Sequence, residues 1–321
     1  MNEPDTFLSH AQNGEDVVLW RALGHIEHGV YIDVGANDPS DDSVTRSFYD
    51  RGWTGIAVEP NSAFAAKFRA ERPRDQVVEA VVTDSPDASI TLHVIDGTGL
   101  STIVDSIGAT HSQTGFAITD VVVETRRLDD VIEASGLGDG DIHFLLIDTE
   151  GAERAVLGSI DFTRFRPWVL VVEATAPRST ERTHGDWEPA LVAAGYIFCL
   201  FDGLSRFYVA AEHSAQLQPL LDYPACVFDR YTTVAGVRAE EETERLHSAV
   251  RDEALRADTV TAELRDAVLR ADTATAELRD EAAELARVAA ELVRTRQTLS
   301  WRLTRPLRSV QRNLHPGADK R

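Results

Sequence analysis

Short apolar segments alternate with helical patterns from about residue 28 to residue 213, and this alternation limits the possible folds more than any other feature. Continuous apolar runs of strand length, such as 143–147 and 168–172, are typical of strands buried on both faces of a parallel sheet. Parallel strands need crossover connections, which helices supply. The sequence therefore predicts an α/β protein with a Rossmann-like, mostly parallel sheet.

The pattern places individual elements along this region. The predicted strands are Val30–Val34, Gly55–Glu59, Val77–Val82, Ser89–Val94, His143–Ile147, Trp168–Val172, Tyr196–Phe201 and Phe207–Ala211. Helices are predicted over Ser43–Asp50 and Ala63–Glu71. Asp202-Gly203-Leu204 joins the last two strands as a tight turn, which predicts an antiparallel hairpin at one edge of the sheet.

The composition changes abruptly beyond Gly236. No Pro or Gly occurs before Pro306, and apolar residues recur at alternating steps of four and three from Leu246 to Leu299. This heptad pattern predicts a long coiled-coil helix. A helix of this length cannot bury its apolar stripe alone, so residues 246–299 are expected to pair with a second copy or with another partner helix. The alternative is a single solvated helix that carries many charged side chains.

The sequence thus falls into three parts: an α/β domain over 1–235, a coiled-coil helix over 236–300, and a basic amphipathic tail over 301–321. The net charge of −21 argues against nucleic acid as a partner. The C-terminal end is basic instead, and residues 301–312 place Trp and Leu among arginines. That pattern suits an anionic membrane surface, and a solvated basic tail is the alternative.

The sequence also bears on location. The first ten residues lack the basic and apolar regions of a secretion signal, and no apolar run is long enough to span a membrane. Cys199 and Cys226 form no metal or redox motif. We therefore expect a cytoplasmic protein, peripheral at the inner membrane face if the tail binds lipid.

Two motifs on the first two strands indicate a nucleotide-like ligand. Tyr31–Asn37 runs from a strand into a turn of small residues, and Glu59 ends the next strand, where an acid can accept hydrogen bonds from ribose hydroxyls. A dinucleotide site needs further glycines after Gly35, and this turn lacks them. The turn is also acidic, which disfavours a pyrophosphate and suits the cationic S-adenosylmethionine.

Four stretches resemble the FkbM family of S-adenosylmethionine-dependent methyltransferases: Ser9–Asp16, Ile32–Asn37, Gly52–Pro60 and Leu146–Glu153. The resemblance implies a class I methyltransferase sheet and methyl transfer to a hydroxyl oxygen, commonly on sugars or other natural-product scaffolds. It also implies cofactor contacts from Gln12, Asp33, Gly35, Ala36, Asn37, Glu59, Pro60 and, near the adenine, Asp84. The chain departs from many relatives at Asp38-Pro39, where they have glycine after the asparagine.

Acids after the later strands are the candidate catalytic residues. The acceptor hydroxyl must lose a proton, which a carboxylate in the cleft can accept, so Asp148 and Glu150 are the first candidates and Glu173 is the third. Alternatively, Asp148 and Glu150 could hold a divalent cation such as Mg²⁺. Near the N-terminus, Gln12 could help to close the pocket, or Ser9 could cap a helix.

The function predicted from these features is O-methylation of a sugar in a cell-surface glycan or glycolipid precursor. Three alternatives stay open at this point. The chain could methylate a small secondary metabolite, or serve as a non-catalytic methyltransferase-like module on a coiled-coil scaffold. A nicotinamide dehydrogenase is the last alternative, weakened by the missing glycines.

Overall fold

The structure, a computed structural model, describes residues 6–95, 100–113, 115–137, 140–298 and 302–304. The chain divides into two compact units, Met1–Ala239 and Glu240–Arg321.

The first unit alternates strands and helices. Its strands are β1 (Phe7–Ser9), β2 (Val30–Val34), β3 (Thr54–Val58), β4 (Gln76–Val78), β5 (Val81–Val82), β6 (Ser89–Val94), β7 (Thr119–Arg126), β8 (Phe144–Ile147), β9 (Val169–Glu173), β10 (Tyr196–Phe201), β11 (Ser205–Ala210) and β12 (Tyr231–Thr233). Its helices are α1 (Glu15–Leu23), α2 (Arg46–Asp50), α3 (Ser62–Glu71), α4 (Asp105–Gln113), α5 (Leu128–Ser135), α6 (Glu153–Leu157), α7 (Glu188–Ala193) and α8 (Ser214–Leu221).

Seven strands form the central sheet, in the order β10-β11-β9-β8-β2-β3-β4. β11 runs antiparallel to both of its neighbours, whereas the remaining pairs are parallel. β5, β7 and β6 form a separate small sheet, and β1 pairs with β12. The predicted α/β fold, a mostly parallel sheet with an antiparallel hairpin at one edge, is confirmed.

Both faces of the central sheet are covered, which explains the continuous apolar runs in the sequence. In β8, Phe144 and Leu146 pack into one core cluster, while Leu145 and Ile147 pack into the other. Successive side chains of a strand point to opposite faces, so all four residues of β8 are buried.

Two predicted elements differ in the structure, and one strand of the small sheet was not predicted. The helix predicted from Ser43 begins only at Arg46, because the Ser43 and Thr45 hydroxyls accept hydrogen bonds from Arg72 and hold the chain in a loop. The single strand predicted over Val77–Val82 is two strands, β4 in the central sheet and β5 paired with β7. β7 itself was not predicted, because it is largely exposed and lacks the apolar run of a buried strand.

A long helix, α9 (Val234–Gln297), leaves the first unit and forms most of the second. Every side chain from Arg238 to Thr298 is exposed, including the described seam leucines Leu246, Leu264, Leu278, Leu285 and Leu292. The long helix is confirmed, and coiled-coil pairing stays a prediction.

The predicted basic tail lies outside the described residues except for 302–304. Trp301, Arg305, Arg308, Val310 and Arg312 are therefore not described. Within the described ranges, no helix combines the length and apolarity needed to cross a membrane.

Candidate active site

The predicted site residues lie at the carboxyl ends of neighbouring strands. Asp33 lies in β2, Glu59 follows β3, Asp148 follows β8, and Glu173 ends β9. β2 has β3 on one side and β8 on the other, so the winding of the sheet reverses at β2. Ligands of open α/β sheets bind outside the carboxyl ends of the strands at such a point.

Gly35, in the turn after β2, is required by backbone geometry and by space. Its φ is +85°, a conformation that favours glycine. A Cβ on Gly35 would lie 1.7 Å from the carbonyl oxygen of Asp148. The sequence predicts a close approach to a ligand here, and the structure shows a close approach to the loop after β8.

Glu59 organises the same turn. Its Oε2 accepts a hydrogen bond from the Asn37 N–H, and its Oε1 accepts one from the Asn61 N–H, both at 2.7 Å. The first bond holds Asn37 at a φ of +50°, which side-chain-bearing residues adopt uncommonly. Burial raises the pKa of Glu59 to about 7. Each carboxyl oxygen retains acceptor capacity, so Glu59 can also accept hydrogen bonds from hydroxyl groups of a ligand.

An apolar cavity lies beside Glu59. Val34, Val58, Pro60, Phe64 and Val82 are among the side chains that line it. The cavity encloses about 600 Å³, counting the part open to solvent. A flat apolar ring would fit such a wall.

A second, acidic cavity shares Gly35, Asn37, Asp148 and Glu150 with the apolar one. It holds about 940 Å³, and its other lining includes Gln12, Glu15, Asp33 and Asp42. Among the described residues that line it, none is Lys or Arg. This cavity therefore suits cationic groups and hydroxyl groups, and repels anions.

All the predicted cofactor residues except Asp84 line one of the two cavities. Gln12, Asp33 and Ala36 line the acidic cavity, Glu59 and Pro60 line the apolar one, and Gly35 and Asn37 line both. Asp84 is exposed and lies beside Gly158. The chain instead presents Ala80, Val81 and Val82, which precede Asp84, to the apolar cavity.

The three acids of the turn, Asp38, Asp41 and Asp42, differ in whether they line the acidic cavity. Asp38 pairs with Lys67 and accepts hydrogen bonds from the Ser40 and Asp41 N–H groups, so it is used within the loop. Asp41 pairs with Arg238 on the surface. Asp42 alone of the three lines the acidic cavity, so the sequence argument from an acidic turn applies to Asp42 only.

The carboxyl groups of Asp148 and Glu173 lie within interaction distance of each other at the ends of the neighbouring strands β8 and β9. Two buried carboxylates this close repel each other when both are ionised, so the pair favours holding a proton. Burial raises the pKa of both, and that of Glu173 rises further because it also faces Asp148, Glu150 and Glu153. Asp148 lines both cavities, and Glu173, the member of the pair with the higher pKa, lies beside it.

Glu150 was predicted with Asp148 as a first candidate for the catalytic residue. Its φ is +52°, and its Oε2 is buried with no hydrogen-bond partner among the described residues. Burial, with the nearby charges of Asp148 and Glu153, raises the pKa of Glu150 to about 8. An unpartnered oxygen at a shared wall of both cavities is available to a ligand.

The divalent-cation alternative for Asp148 and Glu150 gains no support from the geometry. In the part of the chain that the structure describes, no three His, Cys, Asp or Glu side chains are grouped so that they could hold a metal ion.

The N-terminal segment closes one side of the acidic cavity. Glu15 lines it, and burial together with the charge of Asp202 raises the pKa of Glu15 to about 8. The predicted cap by Ser9 is wrong, because α1 begins after Gly14 and the Ser9 hydroxyl donates to Asp16 at 2.7 Å.

Sequence reasoning missed part of the site. Ser101, Thr102 and Ile103 line the apolar cavity from the segment before α4, and Leu92 lines it from β6. None of them belongs to a motif. Phe64 also lines the apolar cavity. It could have been found from the sequence, because it is an apolar residue on the helix predicted shortly after Glu59 and Pro60.

The profile of the Methyltransferase FkbM domain matches residues 33–198, just over half of the chain. The search of curated proteins gave no match.

Solved structures give distant matches. One is a methyltransferase FkbM from Methylobacillus flagellatus KT, 13% identical, with a TM-score of 0.35, covering 57% of this chain and 44% of that one. This chain therefore spans less than half the length of that protein. A second is a TehB-like SAM-dependent methyltransferase from Corynebacterium glutamicum, 11% identical, with a TM-score of 0.34, covering 62% of this chain and 88% of that one.

A third is CalO1, a methyltransferase in calicheamicin biosynthesis in its SAH-bound form, 15% identical, with a TM-score of 0.31, covering 62% of this chain and 54% of that one. The family assignment rests on the domain match over 33–198, which includes Asp33, Glu59, Asp148 and Glu173. The chain belongs to the FkbM methyltransferase family.

Proposed function

We propose that the protein transfers a methyl group from S-adenosylmethionine to a hydroxyl oxygen of a sugar in a cell-surface glycan or glycolipid precursor. The observation that carries this proposal is the junction of two cavities at Gly35 and Asp148, one apolar beside Glu59 and one lined with acids. Membership of the family supports methyl transfer.

The residues present fit S-adenosylmethionine. The apolar cavity offers Val58 and Phe64 to an adenine ring, and Glu59 offers carboxyl oxygens to the ribose hydroxyls. The acidic cavity offers Asp33 and the unpartnered oxygen of Glu150 to the sulfonium and ammonium groups of the methionine end. The cofactor has no phosphate, which agrees with a cavity lined by acids.

The chain's own contribution to the reaction is to move one proton. S-adenosylmethionine supplies a methyl group whose bond to sulfur breaks as the bond to the acceptor oxygen forms, leaving S-adenosylhomocysteine. The acceptor hydroxyl loses its proton to Asp148, the ionised member of the carboxyl pair. Glu173, the member of the pair with the higher pKa, keeps its own proton beside Asp148.

The acidic cavity also bears on the acceptor. Its carboxyl groups accept hydrogen bonds from hydroxyl groups. The described lining contains no Lys or Arg, so it has no cationic partner for a phosphate or carboxylate of an acceptor. A neutral, hydroxyl-rich sugar ring fits this lining.

A transfer assay tests the acceptor. The full chain is incubated with methyl-labelled S-adenosylmethionine and a panel of neutral sugars, glycolipid precursors, uronic acids and polyketide alcohols, with and without EDTA. We expect transfer to neutral saccharides, lowered at least about 100-fold by Asp148→Asn and retained in Asp130→Asn, an exposed acid outside both cavities.

Other results of this assay would change the proposal. Better transfer to polyketide alcohols than to any saccharide would contradict the acceptor class. Loss of transfer in EDTA would support the alternative in which Asp148 and Glu150 hold a divalent cation.

The long helix adds a proposal about assembly. We infer that residues 246–299 pair with a second copy of the chain, because apolar side chains at heptad spacing are exposed along α9. We also propose, from the sequence alone, that residues 301–312 contact anionic lipid at the inner membrane face. Flotation with anionic and neutral vesicles tests the second proposal, and binding to neither kind would contradict it.

A further inference from the structure

A fully buried arginine lies behind the acidic cavity. Arg72 follows α3, and its side chain is 0% exposed. It forms an ion pair with Asp75, at 2.9 Å from Nε to Oδ2. Asp75 in turn accepts hydrogen bonds from the Tyr31 hydroxyl and the Gly55 N–H. No sequence motif marked this group.

Each of the five N–H donors of Arg72 has an acceptor. Nε donates to Asp75, and Nη1 donates to the Pro39 carbonyl at 3.2 Å and to Ser43 Oγ at 3.1 Å. Nη2 donates to the Tyr31 hydroxyl and to Thr45 Oγ1, both at 2.8 Å. A guanidinium has five donors, so none is left over for a ligand. Arg72 is therefore built into the wall of the site and does not itself face a bound molecule.

One of these bonds leads to the acidic cavity. Thr45 Oγ1, which accepts from Arg72, donates its own proton to Asp33 Oδ2 at 2.7 Å. A hydroxyl has one proton, so the bond from Arg72 leaves that proton for Asp33. Thr45 is 0% exposed, and Asp33 is 2% exposed at the wall of the cavity.

Asp33 needs this support because other acids surround it. Asp75, Glu59 and Asp148 all lie close enough to interact with its charge. Burial raises the pKa of Asp33 to about 6, against the hydrogen bond from Thr45 and the positive charge of Arg72, which lower it. Arg72 is the one cation among these interactions.

We propose that Arg72 is a positioning residue that acts through the Thr45 hydroxyl to fix the Asp33 carboxylate toward the cofactor's cationic groups. The inference rests on the proposed function, because those groups belong to S-adenosylmethionine. The same bonds tie Pro39 and Ser43 to the sheet, so the loop that borders the cavity is held by the same side chain.

The test compares Thr45→Val with Thr45→Ser. Valine has nearly the same shape but no hydroxyl, whereas serine keeps the hydroxyl. In cofactor-free protein labelled with ¹³C at the aspartate carboxyls, the Asp33 resonance is identified by its loss in Asp33→Asn, and its titration is followed by NMR. We expect Thr45→Val to move the Asp33 midpoint upward by about one pH unit, and Thr45→Ser to restore it.

Calorimetry gives the functional readout. Thr45→Val is expected to weaken S-adenosylmethionine binding several-fold at about pH 6, where Asp33 loses its charge, and less at about pH 8. Arg72→Lys keeps the charge and loses the forked donors, so it is expected to behave like Thr45→Val. Because Arg72→Lys can also unfold the protein, the comparison of Thr45→Val with Thr45→Ser decides whether the positioning role holds.

The outcomes separate the two claims. An Asp33 midpoint unchanged in Thr45→Val, or shifted equally in Thr45→Ser, would overturn the positioning role. If the wild type binds no S-adenosylmethionine, the proposed function fails, and the titration without cofactor still decides whether Arg72 and Thr45 control Asp33.

Discussion

The carbonyl oxygen of Asp148 occupies the space that a side chain on Gly35 would need, with 1.7 Å between that oxygen and a Cβ built on the glycine. The turns after β2 and β8 are therefore packed together at the point where both cavities meet. Any side chain at position 35 must push the two turns apart.

Gly35→Ala is expected to lower the free energy of unfolding by about 2–5 kcal/mol, from the left-handed backbone and the overlap together, and to abolish cofactor binding. Gly136→Ala is the matched control, because Gly136 has a φ of +70° with nothing within 4 Å of its Cβ position. It should cost only about 1–2 kcal/mol. Equal losses in urea unfolding would show that the overlap is relieved easily.

Stability is expected to fall as pH rises, because the buried acids have raised pKa values. Burial raises the pKa of Glu15 and Glu150 to about 8, and that of Glu59 to about 7. Between the unfolded value near 4.5 and these values, the folded protein keeps protons that the unfolded chain has lost. The free energy of unfolding therefore decreases from about pH 5 to about pH 8.

Glu150→Gln removes one of these ionisations and is expected to flatten that slope. Urea unfolding of the cofactor-free protein at several pH values measures it. Glu133→Gln serves as the control, because Arg164 lowers the pKa of Glu133 and its replacement cannot flatten the slope. A stability that rises between about pH 5 and pH 8 would contradict the assignment of raised pKa values.

Arg72→Met is expected to lower the free energy of unfolding by about 3–5 kcal/mol, because it leaves Asp75 buried without its cation. Arg69→Met, on the helix α3 that precedes Arg72, removes an exposed ion pair with Glu79 and should cost less than about 1 kcal/mol. Adding Asp75→Asn to Arg72→Met should recover part of the loss. If Arg72→Met were no more costly than Arg69→Met, the buried group would contribute little to stability.

Pairing of α9 is tested by two leucines that are equally exposed in the single chain. Leu264 is 64% exposed and lies on the heptad seam, whereas Leu269 is 66% exposed and lies off it. Leu264→Glu is expected to convert a dimer to a monomer in sedimentation equilibrium, and Leu269→Glu to leave the dimer intact. A monomeric wild type, or equal effects of both changes, would contradict pairing through this seam.

The sequence predicted the sheet and placed most of the predicted cofactor residues around the two cavities, because both depend on local patterns. Gly35 and Glu59 follow recognisable strands. Parallel strands place their carboxyl ends at the same edge of the sheet, irrespective of the conformation of the loops. The resemblance implies that Asp84 approaches adenine, which stays a prediction; in the structure the chain changes sheet between β4 and β5, and Asp84 is exposed.

The contacts that the sequence did not predict join side chains distant in sequence. The bonds from Arg72 to Thr45 and to Tyr31 join residues 27 and 41 positions apart, and no periodicity records them. The proximity of Asp148 to Glu173 depends on β8 and β9 being neighbours, which is a property of the folded sheet.

Titration calorimetry with S-adenosylmethionine and S-adenosylhomocysteine tests the central claim most directly, using the full chain and its Glu59→Ala and Asp84→Ala variants. We expect the wild type and Asp84→Ala to bind both ligands, and Glu59→Ala to lose binding, because Glu59 both lines the apolar cavity and holds the Asn37 turn. Absence of binding by the folded wild type would contradict a methyltransferase function and favour a binding module on a long helix.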